Sequence, residues 1–198
     1  LSGSLVDNLT VLATGTSRPH ERVLRIVLNP HGGNGKAQQT FDRFVQPVAT
    51  ITGMTLNVTP TQYAGHTIKM GRDYVPGSAE GLVFISGDGA VQEFLQGIVG
   101  RPNWKETATQ LIIGHIGQGS ANALARGLHT MHPLATMHAA IKCRIRPLDS
   151  ILLSAGDGQH RLSLCGIGWG VPGDIAAASE EWRSCGGTNR YIWLKCLK

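Results

Sequence analysis

Short apolar runs alternate with amphipathic segments along most of the chain. The apolar runs have the length and composition of buried strands, and they cover residues 22–28, 54–59, 82–85 and 111–116. Apolar side chains recur at helical spacing between and after these runs, over residues 37–48, 64–75, 90–99, 123–128 and 134–142. Repeated strand–loop–helix units of this length predict an α/β fold, a parallel sheet with flanking helices.

The pattern changes after Pro147. Residues 148–155 and 159–167 surround Gly156-Asp157-Gly158 and predict an antiparallel hairpin, and a helix is predicted over residues 174–182. We therefore predict three segments: a mobile leader over residues 1–21, an α/β domain over 22–146, and the beginning of a truncated β-rich domain over 147–198. Because the chain starts at Leu1 and ends within an apolar run, we expect it to be part of a longer protein.

Three glycine-rich loops follow three of the predicted strands. They cover residues 29–36, 86–89 and 117–122, and a parallel sheet would bring them to the same edge. A strand, a glycine turn and a helix start together direct backbone N–H groups at one point, which suits a phosphate. Asp88 adds a carboxylate to the middle loop, where phosphate binding alone does not require one. This combination predicts phosphoryl transfer.

The composition and charge of the chain limit the classes of molecule that it is expected to bind. The formal net charge is +5, but the basic residues are scattered without aromatic interleaving, so we do not expect nucleic-acid binding. ATP or acidic lipid headgroups suit this charge equally well. The four cysteines lack disulfide-framework or CxxC spacing, which predicts reduced thiols in an intracellular protein, and the histidines lack metal-site spacing. No apolar run is long enough for a membrane span, and no signal peptide is apparent.

Common nucleotide signatures do not account for the loops. A Walker loop fails because Pro30 stands at the position of its first glycine and Ala37 follows Lys36. A dinucleotide fingerprint is nearly present in the third loop, but Asn122 occupies the position of its last glycine.

The three loops together resemble the nucleotide-site motifs of the diacylglycerol kinase catalytic-domain family. The motifs are Asn29-Pro30-His31-Gly32-Gly33-Asn34-Gly35, Ser86-Gly87-Asp88-Gly89 with Glu93, and Gly119-Ser120-Ala121-Asn122-Ala123-Leu124-Ala125. Within that family the chain is most similar to the sphingosine kinases, through residues 97–104 and 168–183. The resemblance covers about residues 22–198 and implies that residues 22–146 are a nucleotide-binding domain, followed by a lipid-binding domain.

The resemblance also implies an activity and a set of site residues. It implies an ATP- and Mg²⁺-dependent lipid kinase in which Asp88 takes the proton from the lipid hydroxyl. The implied nucleotide-binding residues are Asn29, His31, Gly32, Gly33, Thr61, Ser86, Gly87, Gly89, Glu93, Ser120, Asn122, Arg183 and Arg190. Asp174 is implied to bind the lipid substrate, as the first of two acids in that motif; the second acid, which contacts the amino-alcohol head, falls on Ala176 in this chain.

Several alternatives stay open at the level of sequence. Asp88 could be only a turn former, and Ser120 and Asn122 could cap the following helix. Ala121 stands where the family usually has glycine, and a positive φ there would cost about 1 kcal/mol. The function could instead be that of a ceramide or diacylglycerol kinase, an NAD kinase-like enzyme or a non-catalytic nucleotide-binding fragment. We expect a cytoplasmic protein that visits membrane surfaces transiently, and no oligomeric state is predicted.

Overall fold

A four-stranded parallel sheet forms the centre of the fold. The computed structural model describes residues 22–179 except Asn34 and Asp157. The strands are β1 (Val23–Leu28), β2 (Thr55–Pro60), β3 (Gly81–Ser86) and β4 (Ile113–Gly117), in the order β2-β1-β3-β4. All three pairings are parallel, so the predicted fold class is confirmed.

Helices cover both faces of this sheet. In the described part of the chain, α1 runs through Ala37–Thr40, a π-helical turn at Phe41–Val45, and Gln46–Thr52. The others are α2 (His66–Arg72), α3 (Asp88–Val99), α4 (Trp104–Thr109), α5 (Ala123–Gly127), α6 (Pro133–Ile141) and α7 (Val171–Ala178). The apolar pattern did not predict α4, because a helix of less than two turns shows little periodicity.

The two faces of the sheet belong to two apolar clusters because successive side chains of a strand point in opposite directions. Ile26 and Ile85 pack with α1 and α6, in a cluster that includes Val45 and Met137. The opposite face packs mainly against α3, in a cluster of Val27, Leu82, Phe84, Val91, Phe94 and Ile98. All six residues of β3 are buried, so the loop that carries Asp88 follows the most enclosed strand.

A glycine pair allows α2 and α3 to pack at very short distance. A Cβ built on Gly71 would lie 2.1 Å from the Phe94 carbonyl oxygen, and one built on Gly97 would lie 2.1 Å from the Ile68 carbonyl oxygen. Neither position could carry a side chain without moving a helix backbone. The crossing therefore determines where α3, and with it Asp88, lies on the sheet.

The predicted hairpin is confirmed, as β5 (Ile151–Ser154) and β6 (His160–Ser163) pair antiparallel. Leu162 of β6 is buried in a cluster with Leu95 and Val99 of α3. Gln92 and Gln96 also donate side-chain hydrogen bonds to the Leu162 carbonyl oxygen. The hairpin is thus attached to the helix that begins at Asp88.

Two sequence-based predictions, the end of the last helix and the leader, extend beyond the described residues. The last helix begins at Val171, three residues before the predicted start at 174, and its predicted end at 182 lies outside the described residues. The leader over residues 1–21 and the domain boundary near Pro147 stay predictions. Within residues 22–179, none of the helices is long and apolar enough to span a membrane.

Candidate active site

The three glycine loops meet at the carboxyl edge of the sheet, after the adjacent strands β1, β3 and β4. A Cβ on Gly33 would stand 1.7 Å from the Gln118 carbonyl oxygen, and one on Gly119 would stand 2.8 Å from the Gly87 Cα. The first loop therefore touches the third, and the third touches the second, backbone against backbone. Such contact is possible only where side chains are missing, which explains the glycines at these points.

Asn29 organises the first loop. Its backbone N–H donates to the Ile85 carbonyl oxygen at 3.1 Å, and its side-chain Oδ1 accepts from the backbone N–H of His31 at 3.2 Å. Gly32 packs against this side chain, because a Cβ there would lie 2.7 Å from Asn29 Nδ2. The His31 side chain is exposed. Thr61 borders the same region, since its N–H donates to the Leu28 carbonyl oxygen at 2.8 Å.

Asn122 shapes the third loop from the left-handed region, with φ 51°. Its Oδ1 accepts from the Gly119 N–H at 2.7 Å, and its Nδ2 donates to the Gly119 carbonyl oxygen at 2.9 Å. Ala121 is not among the described residues with positive φ, so the cost considered for alanine there does not arise. The left-handed residue is the next one, an asparagine, which tolerates this conformation better than most. Ser120 is exposed beside it.

Asp88 caps α5 from another element. Its Oδ2 accepts from the Ala123 N–H at 2.9 Å, and its Oδ1 accepts from the Leu124 N–H at 3.1 Å. The suggestion that Ser120 or Asn122 caps this helix is therefore wrong: Asn122 precedes α5 but makes no side-chain cap hydrogen bond. Asp88 is also more than a turn former, since its carboxylate joins the second and third loops. Two N–H donors stabilise its negative charge.

The remaining residues of the second loop contribute mainly through their backbone. Ser86 is fully buried, and its carbonyl oxygen accepts from the Gln118 N–H at 2.8 Å. Gly87 is the contact point with Gly119 described above. Gly89 is exposed, and a Cβ there would meet nothing within 4 Å.

His115 lies beneath the loops and was not singled out by the sequence analysis. The ring is fully buried, its Nε2 lies 3.0 Å from the Ser86 carbonyl oxygen, and its Nδ1 lies 3.8 Å from Asp88 Oδ1. Burial lowers the pKa of His115, while the Ser86 carbonyl and the Asp88 charge oppose that shift. The sequence signal was present, because a histidine interrupts the apolar run of β4.

Cys165 also borders the site. The residue as a whole is exposed, but partial burial of its thiol raises the pKa of Cys165. The negative charge of Asp88 raises this pKa further, and a hydrogen bond with the Leu124 backbone opposes the shift. Cys165 and Cys143 are free thiols, as the sequence predicted for the cysteines; Cys185 and Cys196 lie outside the described residues.

The other predicted site residues are less closely tied to the loops. Glu93 of α3 is half-buried, and its Oε2 accepts a hydrogen bond from the Thr67 hydroxyl of α2. Asp174 is exposed in the first turn of α7. Arg183 and Arg190 lie outside the described residues. The roles of these four residues stay predictions.

Fold and site together define a class: an α/β domain whose parallel strands end in a glycine cradle, with an acid inside it. The chain belongs to the diacylglycerol kinase catalytic domain family, whose model matches residues 23–159. This match bears out the family resemblance of the three loops. The expected similarity to lipid kinases is confirmed by relatives that match most of the chain.

Human sphingosine kinase 1 is 33% identical over 175 residues, which cover 83% of this chain and 45% of that protein. Ceramide kinase 1 of Caenorhabditis elegans is 32% identical, over 96% of this chain and 37% of that protein. The crystal structure of a diacylglycerol kinase from Bacillus anthracis superposes with a TM-score of 0.52 at 24% identity, over 71% of this chain and 45% of that one, which shows the fold. The chain spans less than half the length of these relatives.

Proposed function

We propose that the full-length protein is an ATP- and Mg²⁺-dependent lipid kinase. It transfers the γ-phosphate to the primary hydroxyl of a sphingoid base, converting sphingosine to sphingosine 1-phosphate. One observation carries the proposal: Asp88 lies within a cradle of three glycine loops, with its carboxylate held by the Ala123 and Leu124 N–H groups. The family and the two lipid-kinase relatives support a lipid acceptor.

The described residues suit a nucleotide. Gly33, Gly87 and Gly119 leave backbone where side chains would otherwise fill the cradle, and phosphates bind well to such glycine loops. Asn29, Gly32, Thr61, Ser120 and Asn122 are proposed to contact the nucleotide together with His31, Ser86, Gly89 and Glu93, and Arg183 and Arg190 are proposed to join them. Bound ATP would supply the phosphoryl group. Asp88 would orient the acceptor hydroxyl and receive its proton.

Mg²⁺ is proposed as an ion carried by the nucleotide's phosphate oxygens. Residues 22–179, apart from the two undescribed positions, include no group of three or more His, Cys, Asp or Glu side chains that could hold a metal. Mg²⁺ commonly takes substrate phosphates and water as most of its ligands, so we assign no side chain to it.

The acceptor is proposed to lie on the side of the hairpin and α7. Leu152, Leu153 and Trp169 are exposed there, which suits an apolar substrate, and Asp174 is proposed to bind that substrate. Because such a substrate is dissolved in a membrane, we propose a cytoplasmic protein that meets membrane surfaces transiently. Sedimentation of the full-length protein with vesicles that contain sphingosine tests this.

A substrate panel tests the proposed function. The full-length protein would be incubated with Mg²⁺, γ-labelled ATP and sphingosine, ceramide, diacylglycerol or NAD, and the products identified by mass spectrometry. We expect sphingosine 1-phosphate, strongly reduced by Asp88→Asn and unchanged by Asp42→Asn, an exposed acid that accepts from Gln38. If ceramide, diacylglycerol or NAD is phosphorylated instead of sphingosine, that molecule replaces sphingosine as the proposed substrate. Thermal stabilisation by ATP without any phosphorylated product would support a non-catalytic binding protein instead.

A further inference from the structure

His115 is a buried titratable group that the proposed reaction does not use. Its Nε2 lies 3.0 Å from the Ser86 carbonyl oxygen. A carbonyl oxygen can only accept, so Nε2 carries the proton of the neutral ring and Nδ1 is left with a free lone pair. The ring is therefore held in one tautomer, with its accepting nitrogen on the side of Asp88.

The accepting nitrogen lacks a donor. Nδ1 is one of two buried side-chain N or O atoms in the described part of the chain that have no hydrogen-bond partner. Asp88 Oδ1 lies 3.8 Å away, and an ionised carboxylate is also an acceptor only. Buried polar atoms are seldom left unpaired. His115 Nδ1 and Asp88 Oδ1 could form a hydrogen bond if one proton were added between them. Proton transfer from the substrate hydroxyl would bring such a proton to Asp88.

We propose that His115 is the proton-accepting partner of Asp88, and this rests on the proposed function. During transfer, the acceptor oxygen bonds to the γ-phosphorus while the bond to the β,γ-bridging oxygen breaks, and the nucleoside diphosphate leaves with the electron pair. The hydroxyl proton passes to a free lone pair of Asp88. Asp88 then gives its proton to His115 Nδ1, which leaves an imidazolium beside a carboxylate. After product release the proton returns through Asp88 to water.

The surroundings of both groups suit this path. The two carboxylate oxygens of Asp88 offer about four acceptor positions, and the Ala123 and Leu124 N–H groups occupy two of them. The other positions can receive the substrate proton and face Nδ1. A charge-assisted hydrogen bond needs about 2.8 Å, so the pair must close by about 1 Å. The lowered pKa of His115 keeps the resting ring neutral and its lone pair available.

Among the described residues, Asp88 is the charged group that faces the ring from the elements packed against β4. Arg126 of α5 donates to the Ala121 carbonyl oxygen instead, and His132 and His138 of the α6 region are exposed. The Cys165 thiol lies near Asp88 and is neutral at pH 7, since its pKa is raised. Thr130 and Thr136 donate to the His115 carbonyl oxygen and do not touch the ring nitrogens.

The kinetic test uses His115→Gln in the full-length protein, because Gln Nε2 can keep the bond to Ser86 but offers no acceptor at the Nδ1 position. We expect kcat to fall about tenfold, a part of what a general base contributes, with an unchanged KM for ATP. The acidic limb of the kcat profile should move to lower pH, since the proton then has only the Asp88 carboxylate to hold it. Thr130→Val is the matched control: it removes a bond to the His115 backbone, so it should lower the melting temperature and leave the pH profile unchanged.

A spectroscopic test needs no substitution of His115. In the ¹⁵N spectrum of histidine-labelled full-length protein, His115 should show the Nε2–H tautomer, and Asp88→Asn should shift its Nδ1 resonance by placing an amide donor nearby. An Nδ1–H tautomer, or a pH profile identical in His115→Gln and wild type, would overturn the proposal. These results are separable from the proposed function: if the wild type phosphorylates lipid but His115→Gln has the same pH profile as the wild type, only the His115 role is contradicted. A wild type that phosphorylates no lipid overturns both.

Discussion

The backbone of Gly33 lies directly against the carbonyl group of Gln118. A Cβ at residue 33 would stand 1.7 Å from the Gln118 carbonyl oxygen, closer than any real contact. This approach joins the loop after β1 to the loop after β4, across the intervening strand β3. The width of the cradle is therefore determined by main chain alone.

Gly33→Ala should separate these two loops and weaken nucleotide binding. Gly35→Ala is a matched control, since Gly35 also has positive φ, at 69° against 62° for Gly33, but a Cβ there meets nothing within 4 Å. Both variants carry a backbone strain of about 1 kcal/mol. We expect ATP affinity, measured by titration calorimetry, to fall at least tenfold further in Gly33→Ala. Equal affinities in the two variants would show that the contact does not shape the site.

Asp88→Asn should affect both catalysis and stability. The amide can accept one of the two N–H bonds from α5, but its NH₂ group faces the other donor. We expect kcat to fall on the order of 10²–10⁴-fold and the free energy of unfolding to fall by about 1 kcal/mol. Denaturant titration beside the kinetic assay checks this. A fully stable variant would mean that the α5 cap contributes little.

The α2–α3 crossing should tolerate no added methyl group. Gly71→Ala and Gly97→Ala would each place a Cβ 2.1 Å from a backbone carbonyl oxygen of the other helix, and overpacking of this kind costs about 3 kcal/mol. Gly127→Ala in α5 is the control, since a Cβ there meets nothing within 4 Å and alanine favours the helix. Thermal unfolding should separate the three variants clearly, and similar melting temperatures would contradict the prediction.

Glu93 has a structural partner as well as a proposed role at the nucleotide. Its carboxylate accepts from the buried Thr67 hydroxyl, so we expect Glu93→Ala and Thr67→Val to be coupled by about 1 kcal/mol in a double-mutant cycle of stability. ATP affinity of the same variants separates the two roles. If only Glu93→Ala weakens ATP binding, the carboxylate serves both; if neither variant does, its role is to join α2 and α3.

The buried ring of His115 makes stability depend on pH. Its pKa is lowered in the folded protein, so below about pH 6.5 the unfolded chain takes up a proton that the folded ring does not. Stability is therefore complete above this pH and declines below it, by up to about 1.4 kcal/mol per pH unit from this group. His115→Gln should remove that component. Urea denaturation of both proteins at pH 7.5 and 5.5 checks the difference in slope.

The sequence could predict the sheet, the hairpin and the three loops because each is encoded within a short segment. Apolar runs mark the strands, and glycines with Asp88 mark the loops. The contacts that refine the site join segments far apart in the chain. Asp88 caps a helix 35 residues later, and Gly71 meets Gly97, although each residue type is common on its own.

Two local features of the structure were not predicted by the sequence pattern. A positive φ was considered for Ala121, and in the structure it is the next residue, Asn122, that has one. The short helix α4, which begins at Trp104, was not predicted from the apolar pattern. His115 could have been suspected, since a histidine within a buried strand requires a polar partner.

The packing of Gly97 against α2 influences the position of Asp88, which lies at the start of the same helix, α3. Gly97 lies nine residues along α3 from Asp88, a distance of about 13.5 Å along the helix axis. If a side chain at residue 97 tilted α3 by a few degrees, the end of the helix that carries Asp88 would move by roughly 1 Å, comparable to the closure that Asp88 and His115 require. A substitution at Gly97, remote from every reacting atom, would thus disturb proton transfer by displacing Asp88 relative to His115.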